Sequence, residues 1–333
     1  MRGAARKGLP VSITGLGSHV PERVVTNDEL AQRVDTSDEW IVARTGIRER
    51  RIAAPDEALS DLALPASRVA LEQAGVRGAD LDLIVVATVT PDMSFPSTAA
   101  LLADLLGAGE AGAYDLSAGC TGFPYALAQA YGMIAAGLAS KALVVGGDVL
   151  SRILDPHDRS TLILFGDGVG AVLIEPVAEE GFLGFELGAE GSGGVHLTLP
   201  NSGSRLAADS NGDRFVQMNG REVFKFAPRV LVTSAEAVLD CCGLTIADVD
   251  VYVPHQANVR IIDYATKKLG IPSDRVVVNV DRYGNTSSGS IPLALADAEA
   301  DGRLRPGAIV LMTGMGAGLT WGSVLMRWTK ETP

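Results

Sequence analysis

The feature that most constrains the fold of this chain is an internal repeat. Residues 79–87, Ala-Asp-Leu-Asp-Leu-Ile-Val-Val-Ala, resemble residues 247–255, Ala-Asp-Val-Asp-Val-Tyr-Val-Pro-His, at an offset of 247 − 79 = 168. Two further matches have the same offset: Leu-Ala-Gln-Ala at 127–130 with Leu-Ala-Asp-Ala at 295–298, and Leu-Val-Val-Gly at 143–146 with Leu-Met-Thr-Gly at 311–314. A constant offset over three short matches indicates that the chain is a fused duplication.

Each half of the duplication has the pattern of an α/β unit. Continuous apolar strands at 84–89, 142–145 and 309–312 are typical of sheets buried on both faces. Helix-bearing connections between them predict mostly parallel sheets covered by helices. With 333 residues, the chain exceeds the roughly 250 to 300 at which a single core stops growing. We therefore predict an N-terminal half over 11–180 and a C-terminal half over 181–330.

Two segments are expected to lie outside this regular structure. Residues 1–10 contain three basic side chains but no apolar stretch, so we expect a disordered leader rather than a secretion signal. Residues 181–220 are rich in Gly, Ser and Asn and interrupt the repeat. We expect them to form surface loops before a helix that begins near Arg221.

Cys120 is the strongest candidate for a nucleophile. It stands in Asp115-Leu-Ser-Ala-Gly-Cys120-Thr-Gly-Phe-Pro124, where an apolar strand leads into a turn of small residues and then a helical pattern. Free amides and the positive end of the helix dipole stabilise a thiolate in that position, which predicts a lowered pKa for the thiol. The alternative is a small buried core cysteine without a chemical role.

His255 and Asn285 are the candidate partners of Cys120. His255 directly follows an apolar strand in the second half, as Cys120 does in the first, whereas the other three histidines occupy loops. Ligands of open α/β sheets bind beyond the carboxyl ends of strands, so a site between the halves is predicted. Asn285 stands at a glycine-flanked turn before a helix, where the alternative role is a helix cap.

Three further groups of residues fit a binding role. Trp40 and Arg44 are four residues apart and share one helical face, which is either a ligand platform or a solvated surface. The glycine-rich loop at 314–318 has backbone amides that can point at a substrate oxygen. Basic residues on the helices before and after His255 form either a docking face for an acidic partner or a solvated face. They are Arg221, Lys225, Arg229, Arg260, Lys267 and Lys268.

Charge and cysteine content limit the partners and the compartment. The net charge of 28 − 40 = −12 argues against nucleic acid or an anionic membrane as a partner. Three cysteines, of which Cys241 and Cys242 are adjacent, make no disulfide framework and indicate a reducing cytoplasm. We expect the adjacent pair to serve packing alone. No apolar run is long enough to span a bilayer, and no residues at ligand spacing suggest a metal.

Four motifs together make the chain similar to a known family. They are Ser117-Ala-Gly-Cys120-Thr-Gly-Phe, Pro254-His255-Gln-Ala-Asn258, Gly284-Asn285-Thr-Ser and Gly316-Ala-Gly-Leu-Thr-Trp-Gly322. With these motifs, essentially the whole chain after Pro10 resembles the β-ketoacyl-acyl carrier protein synthase III family of the thiolase superfamily. The resemblance implies a thiolase-like, duplicated five-layer α-β-α-β-α fold and a homodimer.

The resemblance also implies the reaction. It is a decarboxylative condensation of a short acyl-CoA, with acetyl-CoA expected, and malonyl-acyl carrier protein, which starts fatty-acid synthesis. Cys120, His255 and Asn285 would be the catalytic residues of a ping-pong scheme with an acyl-cysteine intermediate. The amides of Cys120 and Ala317 would hold the tetrahedral oxyanion, while neutral His255 and Asn285 would donate to the enolate oxygen. The coenzyme A thioester is a substrate, and no metal or other cofactor is required.

Binding residues follow from the same resemblance. Three side chains would line the coenzyme A site: Trp40, Arg44 and Arg159. Gln256 and Arg260 would contact the acidic acyl carrier protein. Phe95 would reach across the dimer to close the partner's acyl pocket. Met315 would also line the acyl pocket, beside the glycine loop, where many relatives have a phenylalanine. Its flexible thioether fills similar space less rigidly, so we expect this departure to bear on primer choice and decarboxylation efficiency.

Several other functions are compatible with parts of this pattern. The same fold can prime a polyketide or other specialised pathway, or move an acyl group to another acceptor without decarboxylation. A non-catalytic partner subunit is disfavoured, because such subunits lack the cysteine that Cys120 supplies. Thiolase is disfavoured, because its second cysteine would belong in the loop at 314–318, which contains none.

Overall fold

The computed structural model describes residues 1–5, 9–204 and 214–330. The strands in these ranges are β1 (Arg2–Ala4), β2 (Val11–His19), β3 (Val24–Thr26), β4 (Glu49–Arg51), β5 (Leu83–Ala87), β6 (Gly112–Leu116), β7 (Ala142–Asp148), β8 (Gly168–Pro176), β9 (Phe182–Ala189), β10 (Leu197–Thr198), β11 (Gln217–Met218), β12 (Val251–Pro254), β13 (Ile309–Gly316) and β14 (Thr320–Arg327). The α-helices are α1 (Asn27–Ala31), α2 (Asp38–Thr45), α3 (Leu59–Ala74), α4 (Thr98–Leu106), α5 (Gly122–Ala135), α6 (Arg159–Leu162), α7 (Gly220–Cys242), α8 (Val259–Leu269), α9 (Val280–Tyr283) and α10 (Ser290–Ala300). None of the helices within these ranges has the length and apolarity that crossing a bilayer requires.

Two five-stranded sheets form the framework. The strand order is β2-β8-β7-β5-β6 in the first sheet and β1-β9-β14-β13-β12 in the second. Both sheets contain a parallel pair in equivalent register, since Leu83 lies opposite Ala142 and Val251 lies opposite Val310. The second pair follows the first by 168 residues in both strands, 251 − 83 and 310 − 142. The predicted duplication is therefore confirmed as two equivalent sheets.

The side chains of each strand alternate between two faces, which separates the cores. Val85 of β5 packs in the core that α5 and α10 share between the sheets, whereas Ile84 and Val86 pack beneath α3 and α4 on the outer face. The outer face of the second sheet is covered by α7 and α8. The layers are thus α3 with α4, the first sheet, α5 with α10, the second sheet, and α7 with α8. This is the five-layer α-β-α-β-α arrangement that the sequence predicted.

The central helices begin in equivalent ways. A 3-10 turn over Gly119–Thr121 leads into α5, and a 3-10 turn over Ser287–Gly289 leads into α10. Pro124 is accommodated in the first turn of α5, because the amides there have no intrahelical partner. The duplication therefore places the same turn-and-helix unit in both halves, next to the candidate nucleophile in one and the candidate asparagine in the other.

Two expectations about irregular segments are wrong. Arg2–Ala4 forms β1 and pairs antiparallel with β9, so this part of the leader is a strand of the second sheet. Residues 6–8 lie outside the described part of the chain. Phe182–Ala189 forms β9, which lies between β1 and β14, so the loops predicted for 181–220 begin only after this strand. The predicted division between residues 180 and 181 falls between β8 and β9 and stays a prediction.

Candidate active site

Cys120 lies where the sequence predicted, in the 3-10 turn that precedes α5. Gly119 takes a φ of +58°, a conformation that favours glycine, and so turns the chain from β6 toward the helix. The side chain of Cys120 is 9% exposed and lines a cavity between the two halves. Cys120 is therefore buried, but its side chain borders a cavity that a ligand can occupy.

His255 reaches the same cavity from the second half. Its backbone N–H donates to the carbonyl of Thr313 over 2.8 Å, which fixes the end of β12 against β13. The ring is 1% exposed, and burial lowers the pKa of His255 to about 3. Neither ring nitrogen has a hydrogen-bond partner within the described residues. The imidazole is thus neutral at physiological pH, as predicted, and keeps one N–H that can donate a hydrogen bond.

Asn285 is held across the interface between the halves. Its N–H donates to the carbonyl of Leu164 over 2.8 Å, and its carbonyl accepts from Gly166 over 3.0 Å. The side-chain Oδ1 accepts from the backbone N–H of Ser287 over 2.8 Å, which leaves the Nδ2 donor for a ligand. The alternative role as the helix cap is wrong, because Gly289 occupies the N-cap of α10.

Two cavities meet at Cys120. One, of about 330 Å³, is lined by Cys120, His255 and Asn285 and extends to Trp40 and Arg44. The other, of about 490 Å³, shares Cys120 with the first and has largely apolar walls. We call the first the entry channel and the second the acyl chamber. The chamber is lined in part by Val89, Leu150, Ile153, Phe165 and Val216.

The backbone around Cys120 is packed tightly against the loop that follows β13. A Cβ on Gly316 would lie 2.6 Å from the amide nitrogen of Cys120, and a Cβ on Gly119 would lie 3.0 Å from the amide nitrogen of Ala317. Only glycine allows the two loops to approach this closely. The amides of Cys120 and Ala317 are consequently neighbours, as an oxyanion hole requires.

The environment of Cys120 does not lower the pKa of its thiol. Burial raises the pKa of Cys120 to about 11, and the negative charge of Asp148 acts in the same direction. Hydrogen bonds from the Ser287 hydroxyl and from the N–H of Cys120 itself oppose this rise without cancelling it. The prediction of a lowered pKa is therefore wrong, because burial of the sulfur raises the pKa more than the two hydrogen bonds lower it.

Asp148, at the end of β7, is a buried residue of the site that sequence reasoning missed. Its Oδ1 accepts from the Thr88 hydroxyl over 2.8 Å, and its Oδ2 accepts from the Ser288 hydroxyl over 2.9 Å. Ser288 is the repeat counterpart of Cys120, since 288 − 120 = 168. The carboxylate therefore joins the end of β5 to the turn that precedes α10. The signal that could have identified Asp148 in the sequence is an aspartate at the end of a continuous apolar strand.

The predicted coenzyme A residues lie together at the mouth of the entry channel. The guanidinium of Arg44 lies 4.4 Å from the ring centroid of Trp40, and that of Arg159 lies 4.8 Å from it. Arg159 also donates to the carbonyl of Asp35 over 2.6 Å. The structure thus brings Arg159, which is distant in the sequence, to the same indole ring as Arg44. Two cations beside one indole form a surface suited to a ligand with anionic and aromatic groups.

Of the two predicted carrier-protein contacts, only Arg260 has a suitable position. Gln256 is 1% exposed. Its Nε2 donates to the carbonyls of Pro254 and Val277, and its Oε1 accepts from the N–H groups of Asn279 and Val280. The prediction for Gln256 is wrong, because its amide is fully used in holding the chain after β12.

Arg260 lies on the surface at the start of α8. Its guanidinium lies 5.4 Å from the ring centroid of Phe224 on α7, and the two helices pack side by side. The basic residues predicted for a docking face are therefore distributed over two adjacent helices. Lys225 pairs with Glu222 over 2.6 Å, so part of this charge is neutralised locally.

The two acyl-pocket residues have different surroundings. Met315 on β13 is buried against α7 and α8, and lines the entry channel with Cys120. Phe95 is 83% exposed in the single chain, and its role across a dimer stays a prediction. Cys241 and Cys242 are half-buried free thiols at the end of α7, and burial raises the pKa of Cys242 to about 11. In the described ranges, no cluster of three or more His, Cys, Asp or Glu side chains is arranged to hold a metal.

Known proteins resemble this chain over nearly its whole length. Residues 114–191 match the family model described as 3-oxoacyl-[acyl-carrier-protein (ACP)] synthase III, and residues 239–328 match the model of its C-terminal part. A β-ketoacyl-[acyl-carrier-protein] synthase III from Symbiobacterium thermophilum is 55% identical over 326 residues, which cover 96% of this chain and 99% of the relative.

Solved structures give the same result. The β-ketoacyl-[acyl carrier protein] synthase III of Thermus thermophilus is 51% identical, with a TM-score of 0.91 over 95% of this chain and 99% of that one. A priming β-ketosynthase of the R1128 polyketide pathway is 39% identical, with a TM-score of 0.91 over 98% of both chains.

Proposed function

Because the chain belongs to the β-ketoacyl-acyl carrier protein synthase III family, we propose that it condenses a short acyl-CoA with malonyl-acyl carrier protein to start fatty-acid synthesis. The observation that carries the proposal is the meeting of Cys120 from the first half with His255 and Asn285 from the second around one channel. A polyketide-priming role has weaker support, since the relative with such a name is 39% identical and the synthase III relative is 55% identical.

In the first half-reaction, the sulfur of Cys120 attacks the thioester carbonyl of the acyl-CoA. The thiol proton passes to water as the S–C bond forms and is returned to the departing coenzyme A sulfur, because a pKa of about 3 makes the buried ring of His255 too weak a base to hold it. The tetrahedral oxyanion forms next to the amides of Cys120 and Ala317. Its collapse expels coenzyme A as the thiol and leaves an acyl-cysteine.

In the second half-reaction, malonyl-acyl carrier protein enters the channel and loses carbon dioxide. The electron pair of the broken C–C bond becomes an enolate, whose oxygen accepts hydrogen bonds from His255 and from Nδ2 of Asn285. The enolate carbon then attacks the acyl-cysteine carbonyl and displaces the sulfur of Cys120. A β-ketoacyl carrier protein leaves, and the cysteine thiolate takes up a proton from water, which restores the thiol.

The two substrates use different parts of the surface. We assign the nucleotide of the acyl-CoA to the platform of Trp40, Arg44 and Arg159, where ring and cations combine. The acidic carrier protein would dock on the basic residues of α7 and α8, including Arg260. The acyl group would occupy the acyl chamber, whose volume of about 490 Å³ exceeds the needs of an acetyl group. Acetyl-CoA must therefore be tested against longer primers.

We also propose that the enzyme is a cytoplasmic homodimer that uses no metal or other cofactor. Its three cysteines are free thiols, which suits a reducing compartment. The strand β6 is an edge of the first sheet, and an edge strand can pair with a second copy. The exposed ring of Phe95 would then be covered by the partner.

Intact-mass measurement tests the proposal. The protein is incubated with an equimolar mixture of acyl-CoAs of increasing chain length, and the acyl group that it gains identifies the primer. Addition of malonyl-acyl carrier protein should then release carbon dioxide and remove the acyl group from the enzyme. A Cys120→Ala variant should gain no acyl group. Acyl transfer to an acceptor without release of carbon dioxide would refute the condensation, and absence of any adduct would refute the acyl-enzyme.

A further inference from the structure

We propose that Ser287 is a positioning residue that serves both half-reactions, its hydroxyl holding the sulfur of Cys120 and its backbone N–H holding the side chain of Asn285. The inference rests on the proposed function for its catalytic meaning, but the contacts themselves are independent of it. In the sequence, Ser287 is the last residue of the motif Gly284-Asn285-Thr-Ser, and none of the roles predicted from the sequence falls on it.

The contacts of Ser287 connect the two halves of the site. Its N–H donates to Oδ1 of Asn285 over 2.8 Å, which fixes the amide so that Nδ2 remains for the substrate. Its side chain lines the acyl chamber together with Cys120, and hydrogen bonding by its hydroxyl lowers the pKa of the Cys120 thiol. Ser287 is 2% exposed, so neither contact competes with bulk water. One residue thus touches the nucleophile and the decarboxylation donor.

The backbone of Ser287 is held in an unfavourable conformation. Its φ is +52°, and Asn201 is the only other non-glycine residue with a positive φ in the described ranges. The repeat counterpart of Ser287 is Gly119, since 287 − 119 = 168, and that glycine has a φ of +58°. Glycine adopts this conformation without steric cost. A serine here therefore brings something that glycine cannot supply, and its hydroxyl is the group that contacts the sulfur.

The other groups around Cys120 do not replace this contact. Asp148 is fully buried, and its charge disfavours a thiolate. His255 is neutral and presents no positive charge to the sulfur. Besides the backbone N–H of Cys120, the Ser287 hydroxyl is the hydrogen-bond donor that lowers the pKa of the thiol. Its removal would leave burial and Asp148 to act against the nucleophile.

The variant Ser287→Gly separates the two contacts. Glycine keeps the N–H and tolerates the positive φ, so the contact with Asn285 survives while the hydroxyl is lost. The test measures the rate of Cys120 alkylation by iodoacetamide against pH in the full chain without substrates. We expect the midpoint of the pH profile to lie about one pH unit higher than in wild type. At pH values below both midpoints, the variant should therefore be alkylated about tenfold more slowly than wild type. Carbon dioxide release from malonyl-acyl carrier protein should fall far less than in Asn285→Ala, since the N–H that holds Asn285 is kept.

Two further variants complete the test. Ser287→Ala also removes the hydroxyl and should show the same shifted alkylation profile. Ser290→Ala removes a buried hydroxyl from the same segment, but that hydroxyl lies 3.3 Å from Thr286 and not against the sulfur, so its alkylation profile should match wild type. A wild-type profile in both Ser287 variants would overturn the role of the hydroxyl. A loss of carbon dioxide release in Ser287→Gly as large as in Asn285→Ala would overturn the assignment of the Asn285 contact to the N–H. Because alkylation needs no substrate, failure of this inference is distinguishable from failure of the proposed function.

Discussion

Thr121 of the first half donates a hydrogen bond of 2.6 Å to Thr320 of the second half. Thr320 in turn donates to the carbonyl of Ala317 over 2.9 Å. Thr121 follows Cys120 directly, and Ala317 supplies the second amide of the proposed oxyanion hole. This pair of hydroxyls therefore fastens together the two loops whose amides must face one oxygen atom.

Replacing Thr320 should weaken acyl transfer to Cys120. Thr320→Val keeps the shape of the side chain but removes the bond to Thr121, whose hydroxyl keeps only the Ala118 carbonyl, and the bond to the Ala317 carbonyl. Losing hydrogen bonds of this kind costs about 1 kcal/mol each. We expect labelled acyl transfer from acyl-CoA to slow about tenfold, less than the 100- to 1000-fold cost of deleting an oxyanion donor. Thr320→Ser keeps the hydroxyl and should load at nearly the wild-type rate. Equal loading by the valine and serine variants would show that the hydroxyl pair does not set the oxyanion geometry.

Charge reversal at Arg260 should affect only the reaction with the carrier protein. Arg260→Glu places a negative charge on the face that we assign to an acidic partner. We expect the KM for malonyl-acyl carrier protein to rise about fivefold at low salt, with the effect shrinking as salt screens the charges. Loading of Cys120 from acyl-CoA should not change.

The matched control is Arg68→Glu, an exposed arginine on α3, on the opposite side of the layered fold. It makes the same change in net charge away from the proposed face and should leave both steps unaltered. Similar increases in KM for the two variants would assign the effect to net charge instead of a docking surface.

Much of the fold was predictable because two signals in the sequence agree. The apolar runs locate the buried strands, and the repeat shows which strands of the two halves are equivalent. A strand buried on both faces, such as 142–145, needs apolar residues at every position, and the shared offset then aligns it with β13. The positions of Cys120 and His255 followed from the rule that ligands bind beyond the ends of strands. These predictions rest on apolar runs and on residues directly after them, which can be recognised without knowing the contacts between distant side chains.

The predictions that failed depend on contacts between distant segments. The sequence cannot show that the side-chain amide of Gln256 is hydrogen-bonded to four backbone groups, among them those of Val277 and Asn279. Nor can it show that Arg2–Ala4 pairs with β9. The pKa of Cys120 depends on how fully both halves cover the sulfur. Burial and long-range pairing are properties of the assembled fold, so one-dimensional motifs leave them undetermined.

The neutral state of His255 should make stability depend on pH. The pKa of His255 is about 3 in the folded chain and about 6.5 when unfolded. As pH falls below 6.5, the unfolded chain binds a proton there and the folded chain does not, so the stability contribution present above pH 6.5 is progressively lost down to about pH 3. Relative to His255→Gln, wild type should lose about 1 kcal/mol of unfolding free energy between about pH 6.5 and 5.5.

Denaturant unfolding at several pH values measures this difference. His157→Gln is the control, because His157 lies exposed in the segment before α6. That variant should follow the wild-type pH dependence. A constant free-energy difference between wild type and His255→Gln over the same pH range would contradict the buried, neutral assignment.

Cys120 and Asn285 should control different half-reactions. Cys120→Ala should abolish acyl-enzyme formation but retain release of carbon dioxide from malonyl-acyl carrier protein, since His255 and Asn285 still hold the enolate. Asn285→Ala should retain acyl-enzyme formation but slow the release of carbon dioxide. Losing one preorganised donor costs on the order of 100- to 1000-fold in the step that it serves. Labelled acyl transfer and carbon dioxide release are measured separately for each variant.

Asn285→Asp is the sharpest test of the donor assignment. The aspartate keeps the shape of the side chain, and one of its oxygens can still accept from the N–H of Ser287. Its other oxygen replaces the Nδ2 donor with a negative charge that repels the enolate. Decarboxylation should therefore fall at least as far as in Asn285→Ala, while acyl loading largely survives. Release of carbon dioxide at the wild-type rate would mean that Asn285 serves only to hold the turn before α10, and that His255 stabilises the enolate without it.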